Sequence, residues 1–445
     1  MPPSTELAAS DATLAGLDTS TAGPQAQHRR LLMAASLGSA IEHYDFFCYA
    51  FIAPIAFGAA FFPKMDALAG TLAVYATFAV GFAARPLGGL VFGHFGDRIG
   101  RKVVLMATLL IMGIASFLIG CLPTYDSAGL WAPALLLVLR FAQGFAFGGE
   151  YMNAVTLTLE GAPQQRRGLF ASWINASGPV GVIAASGLIA MLTGVFGNDA
   201  FQHWGWRLPF LLSLVLVGVG SYVRYHVDES TLFRQAQASK KIPKLPIVEV
   251  LRSWKKSTLL AILINMAHSS FQYLSSVFVL GYAVKRLGMP AAGVTTGTTL
   301  ANVLEMAMVP LIAHLSDRLG RRPLLLAGIA LAALWFPVFF QLLETRDTLL
   351  LGLGLVVSLG IIHATMFAPE AAFTAELFPT EVRVSGGSLG KQLGIVFGGG
   401  CAPLVATGLM GQGTSFTPVI VYFEIIAALA FVGMLFAPEN FRKKL

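Results

Sequence analysis

Charge is scarce in this chain. Only 12% of its 445 residues are Asp, Glu, Lys or Arg, 56% are hydrophobic, and mean hydropathy is +0.70. Soluble domains carry about twice that charge fraction. In water such a chain would expose apolar patches large enough to aggregate, so a water-soluble fold is excluded and the bilayer is its natural solvent. Cysteine is scarcer still. Cys48, Cys121 and Cys401 lie in or beside apolar stretches, with neither metal-ligand spacing nor a disulfide framework. They read as small buried hydrophobes, and no metal or cofactor is expected. A basic stripe with interleaved aromatics is also missing, so the net charge of +7 is no nucleic-acid footprint. Residues 1–27 lack a basic region ahead of an apolar core. They read as a short disordered cytoplasmic tail, not a cleaved signal.

What the chain has in plenty is long apolar runs. A spanning helix needs about 20 such residues. Twelve runs qualify, near 31–58, 69–93, 103–122, 132–158, 169–194, 207–226, 258–284, 293–313, 323–343, 348–374, 385–409 and 416–437. The longest polar interruption divides them six and six. The expected organisation is a six-helix bundle over 28–226, a cytoplasmic linker over 227–257, a second bundle over 258–437 and a tail over 438–445. With both termini and the even-numbered connections inside, 22 Lys and Arg fall on the cytoplasmic side and 5 on the other. That bias sets the orientation.

The chain repeats itself. His94-Phe-Gly-Asp97-Arg98-Ile-Gly100-Arg101-Lys102 recurs as His314-Leu-Ser-Asp317-Arg318-Leu-Gly320-Arg321-Arg322, with the aspartates 220 positions apart. Glu160-x-x-Pro163-x-x-x-Arg167 recurs as Glu376-x-x-Pro379-x-x-x-Arg383. Many secondary transporters are built from such halves around a midplane solute site. Gly96 and Gly100 permit a tight turn, and Asp97 suits a helix N-terminus.

Ionisable residues inside spans are costly and therefore informative. Glu42 and Asp45 share a face of span one. From the rise per residue, Asp45 and Arg140 reach similar depth, so a pair between them is geometrically open. Such a carboxylate could stay ionised when paired and take a proton when unpaired. Arg85 and Glu150 are likewise level and could form a bridge. Glu305 is the repeat counterpart of Arg85 and has no assigned role. Glu370 and Lys391 lie level near the inner ends of spans ten and eleven. They form either an inner-gate pair or, through Lys391, a substrate anchor. His43, Asn153, His268, Gln272, Tyr273 and His363 are polar groups near midplane. Each alone reads as a core residue; together they suggest a polar cavity. Gly398-Gly399-Gly400 reads as a close-packing stretch.

These segments resemble the major facilitator superfamily. Within it, they resemble the metabolite:H⁺ symporters, which include bacterial carriers for citrate, α-ketoglutarate, shikimate and proline/betaine. The similarity rests on Ile41-Glu-His-Tyr-Asp-Phe-Phe47, Ala84-Arg-Pro-Leu-Gly-Gly89, the Gly-Asp-Arg-Ile-Gly-Arg-Lys102 loop, Arg140-Phe-Ala-Gln-Gly-Phe-Ala-Phe-Gly-Gly-Glu150, Trp204-Gly-Trp-Arg-Leu-Pro-Phe210 and Glu376-Leu-Phe-Pro379. It covers essentially all of 28–437. The chain departs from the usual pattern at His43, Met152-Asn153 and Lys391. The resemblance implies that the Asp97, Arg98, Arg101 loop is a gating latch, with Asp317 to Arg321 as a weaker one. It also implies that Arg98, Arg101 and Lys102 sit at headgroups. Arg140-x-x-x-Gly144-x-x-x-Gly148 resembles the fourth span of proton-coupled sugar carriers, where an arginine partners a proton-carrying aspartate.

The expected fold is all-α, with twelve transmembrane helices in two pseudo-symmetric six-helix bundles. The expected function is proton-coupled symport of a small polar metabolite, most consistent with an organic acid, without catalysis. Asp45, Glu42, Arg140 and Glu150 would couple the proton. Arg140, Lys391 and the midplane polar residues would bind solute, and Arg85 and Glu370 would gate. A zwitterion symporter, an efflux antiporter and a non-transporting sensor are the alternatives. The expected partners are the solute, H⁺ and the bilayer, with the chain a monomer in a bacterial inner membrane.

Overall fold

A computed structural model describes residues 24–65, 67–226, 231–238, 245–410 and 415–442. No strand occurs among them. Each apolar run forms a helix because hydrocarbon offers the backbone no other hydrogen-bond partner. Spans one to six are Pro24–Ile52 continued through Ala53–Phe57 and Gly58–Phe61, Ala67–Ile99, Arg101–Cys121, Trp131–Glu160, Arg167–Ala200, and Phe201–Gly205 with Arg207–Tyr225. Spans seven to nine are Lys255–Tyr273 through Leu274–Phe278 to Val279–Lys285, Ala291–Leu319, and Arg321–Glu344. Span ten runs from Thr348–Leu355 through Val356–His363 to Ala364–Glu376. Span eleven runs from Arg383–Ile395 through Val396–Gly400 to Ala402–Met410, and span twelve is Thr417–Leu435.

Among the described residues, nine helices are long and apolar enough to cross a membrane, and the bent first span makes ten. Spans two and seven fill the remaining two places. Span seven owes its weaker apolar character to Asn265, His268, Ser269, Ser270 and Gln272.

Spans one to six pack chiefly on one another, as do seven to twelve. Across the divide, span two lies on span eleven and span five on span eight. The repeat is visible in the backbone. Wide π-type turns begin at Ala53 in span one and Leu274 in span seven, 221 positions apart. Gly100 and Gly320 end spans two and eight at φ 116° and 103°, a region that suits glycine alone. Each half has an aromatic core. In the first, Phe57 lies 5.2 Å from Trp206, and Phe61 and Phe210 complete the cluster. This accounts for Trp206 and Phe210 of the Trp-Gly-Trp-Arg-Leu-Pro-Phe segment. Phe271, Phe336, Phe340 and Phe423 play the same part in the second.

Spans two and four touch backbone to backbone. A Cβ on Gly144 would lie 2.0 Å from the Gly81 carbonyl oxygen, and one on Gly148 2.0 Å from that of Arg85. A side chain at Gly88 would meet the Phe145 carbonyl at 1.8 Å. Small residues in register permit this approach. Gly398 does the same between spans eleven and seven, 2.3 Å from Met266 O.

Several expectations need correction. Helix begins at Pro24, four residues inside the expected tail; residues 1–23 lie outside the described residues. The linker carries two helices, Thr231–Ala238 and Pro246–Ser253, while Lys240, Lys241 and Lys244 lie outside the described residues. Cys121 and Cys401 are exposed on outer helix faces; only Cys48 is buried. Gly96 is not part of the turn. It sits inside span two, where a Cβ would be 2.1 Å from Asn153 Oδ1.

Candidate transport site and gate

The duplicated loops close one side of the molecule. Asp97, fully buried at the end of span two, accepts hydrogen bonds from Val384 N at 3.1 Å and Ser385 N at 2.7 Å. These are N-terminal groups of span eleven, which lies in the other half. A carboxylate there satisfies orphan donors and complements the helix dipole. Asp317 does the same for span five, accepting from Gly168 N at 2.8 Å and Leu169 N at 2.9 Å. Expected to be the weaker, this second copy matches the first bond for bond. Arg101 lies 3.6 Å from Asp97, 3.3 Å from Glu160 and 2.9 Å from Thr380 O. Arg383 closes the network across the halves at 2.5 Å from Glu160. Arg321 joins Asp317 at 2.8 Å and Glu376 at 3.3 Å. Arg101 is therefore a buried cross-link and not a headgroup anchor, whereas Arg98 is exposed.

Above this gate, Arg85 is the central feature. Its guanidinium lies 4.5, 4.2 and 4.3 Å from the ring centres of Phe46, Phe82 and Phe147. It is 5% exposed, and among the described residues no carboxylate is bonded to it. The expected bridge to Glu150 does not form. His43, 5.4 Å edge-on to Phe147, and Tyr273 of span seven both interact electrostatically with Arg85. Three spans of the first half and one of the second thus converge there. His43, Gln272 and Tyr273 are half-buried.

Glu150 instead pairs with Arg224, in the last turn of span six, to which the sequence assigns no role. Arg224 is 3% exposed, bonds both oxygens of Glu150 and donates to Leu105 O at 2.5 Å. Thr108 donates to Glu150 at 3.0 Å. Glu42 lies 3.8 Å from Arg224 and within hydrogen-bonding reach of Glu150. Two carboxylates therefore share one guanidinium. Gly38 makes room, since a Cβ there would fall 1.9 Å from Arg224 Nη2.

Asp45 and Arg140 do not pair directly. Asp45 accepts from Ser213 Oγ and faces the Ser116 hydroxyl. Arg140 donates to Gln143 Oε1 at 3.1 Å and lies 4.0 Å over Tyr49. Gln143 in turn donates to Ser116 at 2.7 Å. The two charges are thus linked through Gln143 and Ser116, one turn and one helix away. Asn153 is also unlike its expected role. It is fully buried, and its amide donates to Gly149 O at 2.8 Å and Phe92 O at 3.4 Å. It packs span four on span two and contacts no cavity group.

In the second half, Lys391 meets Glu370 at 2.7 Å and lies 4.1 Å over the Tyr151 ring. The Tyr151 hydroxyl is 3.1 Å from Glu370 Oε2 and 2.7 Å from Asn175 Oδ1. Lys391 is thus held by its own half and covered by span four. His268 and His363 are buried and hydrogen-bonded to each other, with Glu305 on the far side of His363. Among the described residues no His, Cys, Asp and Glu group is arranged to hold a metal.

Two repeated helical halves with buried polar groups between them, tied together on one side, have the architecture of a membrane transporter. The Major Facilitator Superfamily pattern matches residues 35–390 and again 260–444, and the chain belongs to that family. It is 36% identical over 386 residues to the shikimate transporter of Escherichia coli (strain K12), covering 86% of this chain and 88% of that one. It is 36% identical over 425 residues to that strain's inner membrane metabolite transport protein YhjE, covering 94% and 96%. Its proline/betaine transporter is 33% identical over 416 residues, covering 91% and 82%. The fold matches that of the proton:xylose symporter XylE with TM-score 0.75 at 17% identity, covering 93% and 97%. The chain is accordingly a multi-pass secondary transporter.

Proposed function

We propose that this transporter carries a small organic acid together with protons, and that Arg85 binds the solute carboxylate. The Arg85 guanidinium, to which no carboxylate is bonded among the described residues, carries this reading. A buried cation without a counter-ion is costly, and a carboxylate solute would supply one through paired N–H donors. His43 and Tyr273 flank that position, and Gln272 lies beside Tyr273. Lys391, already neutralised by Glu370, serves the gate. A betaine-type solute would need aromatic faces for its own ammonium, and Arg85 already fills them. The similarity to a shikimate transporter supports an acid.

Coupling rests on the first half. Asp45 sits between two serine hydroxyls, with Arg140 one relay away. The Glu42, Glu150 and Arg224 cluster is neutral when it holds one proton. With the basic loops and both termini read as cytoplasmic, the closed latches would be the inner gate of an outward-facing state. Residues such as Leu130, Trp131, Leu334 and Leu404, 73–77% exposed, meet lipid. One chain supplies every residue of the site, which fits a functional monomer in a bacterial inner membrane.

The test is uptake into proteoliposomes under an imposed pH gradient, with radiolabelled shikimate, α-ketoglutarate, proline and glycine betaine as probes. An acid should accumulate in an uncoupler-sensitive way. Arg85→Gln should lose at least tenfold in uptake of that acid, with Arg85→Lys in between. Selective uptake of proline or betaine, or an Arg85→Gln variant as active as the parent, would refute the reading.

A further inference from the structure

Three hydrogen bonds tie four side chains together in the second half. Glu305 Oε1 lies 2.6 Å from His363 Nδ1, His363 Nε2 lies 3.3 Å from His268 Nδ1, and His268 Nε2 lies 3.2 Å from Asn265 Oδ1. The chain crosses from span eight through span ten to span seven. All four residues are buried, with Glu305 at 5% the most exposed. The coupling machinery proposed above uses none of them.

The polarity of one end is fixed. Asn265 Nδ2 donates to Ala261 O at 2.8 Å and lies 3.4 Å from Thr374 Oγ1. Turning the amide over would press its oxygen against the Ala261 carbonyl oxygen. Asn265 Oδ1 therefore faces His268, and an amide oxygen only accepts. It follows that His268 Nε2 carries a hydrogen. Three links then need three hydrogens, whereas two neutral imidazoles and an ionised glutamate supply two. The third is an additional proton. On His268 it would sit one imidazole away from the Glu305 carboxylate and on the Lys391 side, so it resides on His363, making an imidazolium against that carboxylate, or on Glu305 itself. In both placements His363 Nε2 bears a hydrogen directed at His268. Remove the proton and one link becomes lone pair against lone pair, which costs a buried pairing.

The surroundings do not replace that proton. Lys391 of span eleven acts on His268, but Glu370 neutralises it at 2.7 Å. Thr374 donates to Glu370 at 3.0 Å, and Tyr151 of span four closes the far side. Phe367 stacks on His363 with centroids 5.1 Å apart and lies 5.5 Å from His268. The chain is neutral with its proton and carries one negative charge without it.

We infer that Glu305, His363 and His268 form a proton-carrying site in the second half, separate from the carboxylates of the first. Loss of its proton breaks a contact between spans eight, ten and seven. Proton occupancy is thereby tied to how these three helices pack. This gives Glu305, the repeat counterpart of Arg85, a role, and takes the two histidines out of the solute site.

Glu305→Gln is the discriminating variant. Its amide donates to His363 Nδ1, and the two neutral imidazoles then complete the remaining links. All three bonds survive with no exchangeable proton. Full-length protein labelled with ¹⁵N-histidine, in nanodiscs without solute, is read by NMR from pH 6 to 10, with His363→Gln used to assign the ring. The parent should show a hydrogen on His363 Nε2 at pH 7.5, lost in one step as pH rises. Glu305→Gln should keep it throughout. A parent in which His363 Nε2 and His268 Nδ1 are both bare at pH 7.5, or the same step in Glu305→Gln, would overturn the inference. If Glu305→Gln does not fold, the parent series alone decides. No solute is involved, so failure of the organic-acid reading leaves this measurement untouched.

Discussion

Asp97 and Asp317 cap helices of the opposite half, so the strength with which these caps would hold the proposed inner gate shut is calculable. Each carboxylate accepts two backbone N–H groups, at 3.1 and 2.7 Å for Asp97 and at 2.8 and 2.9 Å for Asp317. A hydrogen bond to a charged acceptor contributes about 1.5–3 kcal/mol. Asparagine keeps one acceptor and turns an NH2 toward the other donor. One charge-assisted bond is lost and the second is weakened. Asp97→Asn should therefore shift the closed-to-open balance by about 2–3 kcal/mol, roughly 30- to 150-fold. Asp317→Asn should do the same. The two lie on separate helix pairs and report one movement, so the double variant should shift by about 4–6 kcal/mol. Spin labels at exposed Arg98 and half-buried Glu381, in a cysteine-free background, would read the distance between spans two and eleven. The parent should give one short distance, each single variant a second longer population, and the double variant chiefly the longer one. Identical short distributions in all four proteins would show that the caps do not hold the gate.

Two further outcomes follow from the first half. Gly38→Ala would drive the Arg224 guanidinium away from Glu150. Breaking a buried charge pair costs about 3–5 kcal/mol, so thermal unfolding should drop by many degrees. Gly218→Ala, with open space around it, should be neutral in the same assay. Asp45→Asn keeps a partner for Ser213 but has no proton to give. Solute counterflow in proteoliposomes should persist while accumulation driven by a pH gradient disappears; unchanged accumulation would remove Asp45 from coupling.

The fold was largely legible because its signals are strong and local. Runs of about 20 apolar residues, the duplicated loop and the distribution of Lys and Arg need no tertiary information. The site was less so, for geometric reasons. Depth along a helix follows from residue count, but the direction a side chain faces around a neighbour does not. Residue count puts Asp45 and Arg140 at similar depth, yet Gln143, three residues on from Arg140, takes the guanidinium first. Arg224 stands in the last turn of span six, next to the linker, and nothing local shows that its side chain turns inward to Glu150. Asn153 was read as a cavity donor because nothing local reveals that Gly96 opens a slot for it. The caps made by Asp97 and Asp317 were anticipated as a residue preference, but the helices they serve lie some 290 and 150 positions away in sequence.

The glycine contacts between spans two and four have a mechanical corollary. With carbonyls of one helix seated in gaps on the other, the pair cannot slide or roll and must travel as a single stiff lever. Asp97 stands at one end of that lever, Arg85 at the middle of span two and Tyr151 on span four. Any tilt that frees the Asp97 contacts therefore carries the Arg85 guanidinium with it, so the proposed cargo capture and door movement would be strokes of one rigid part.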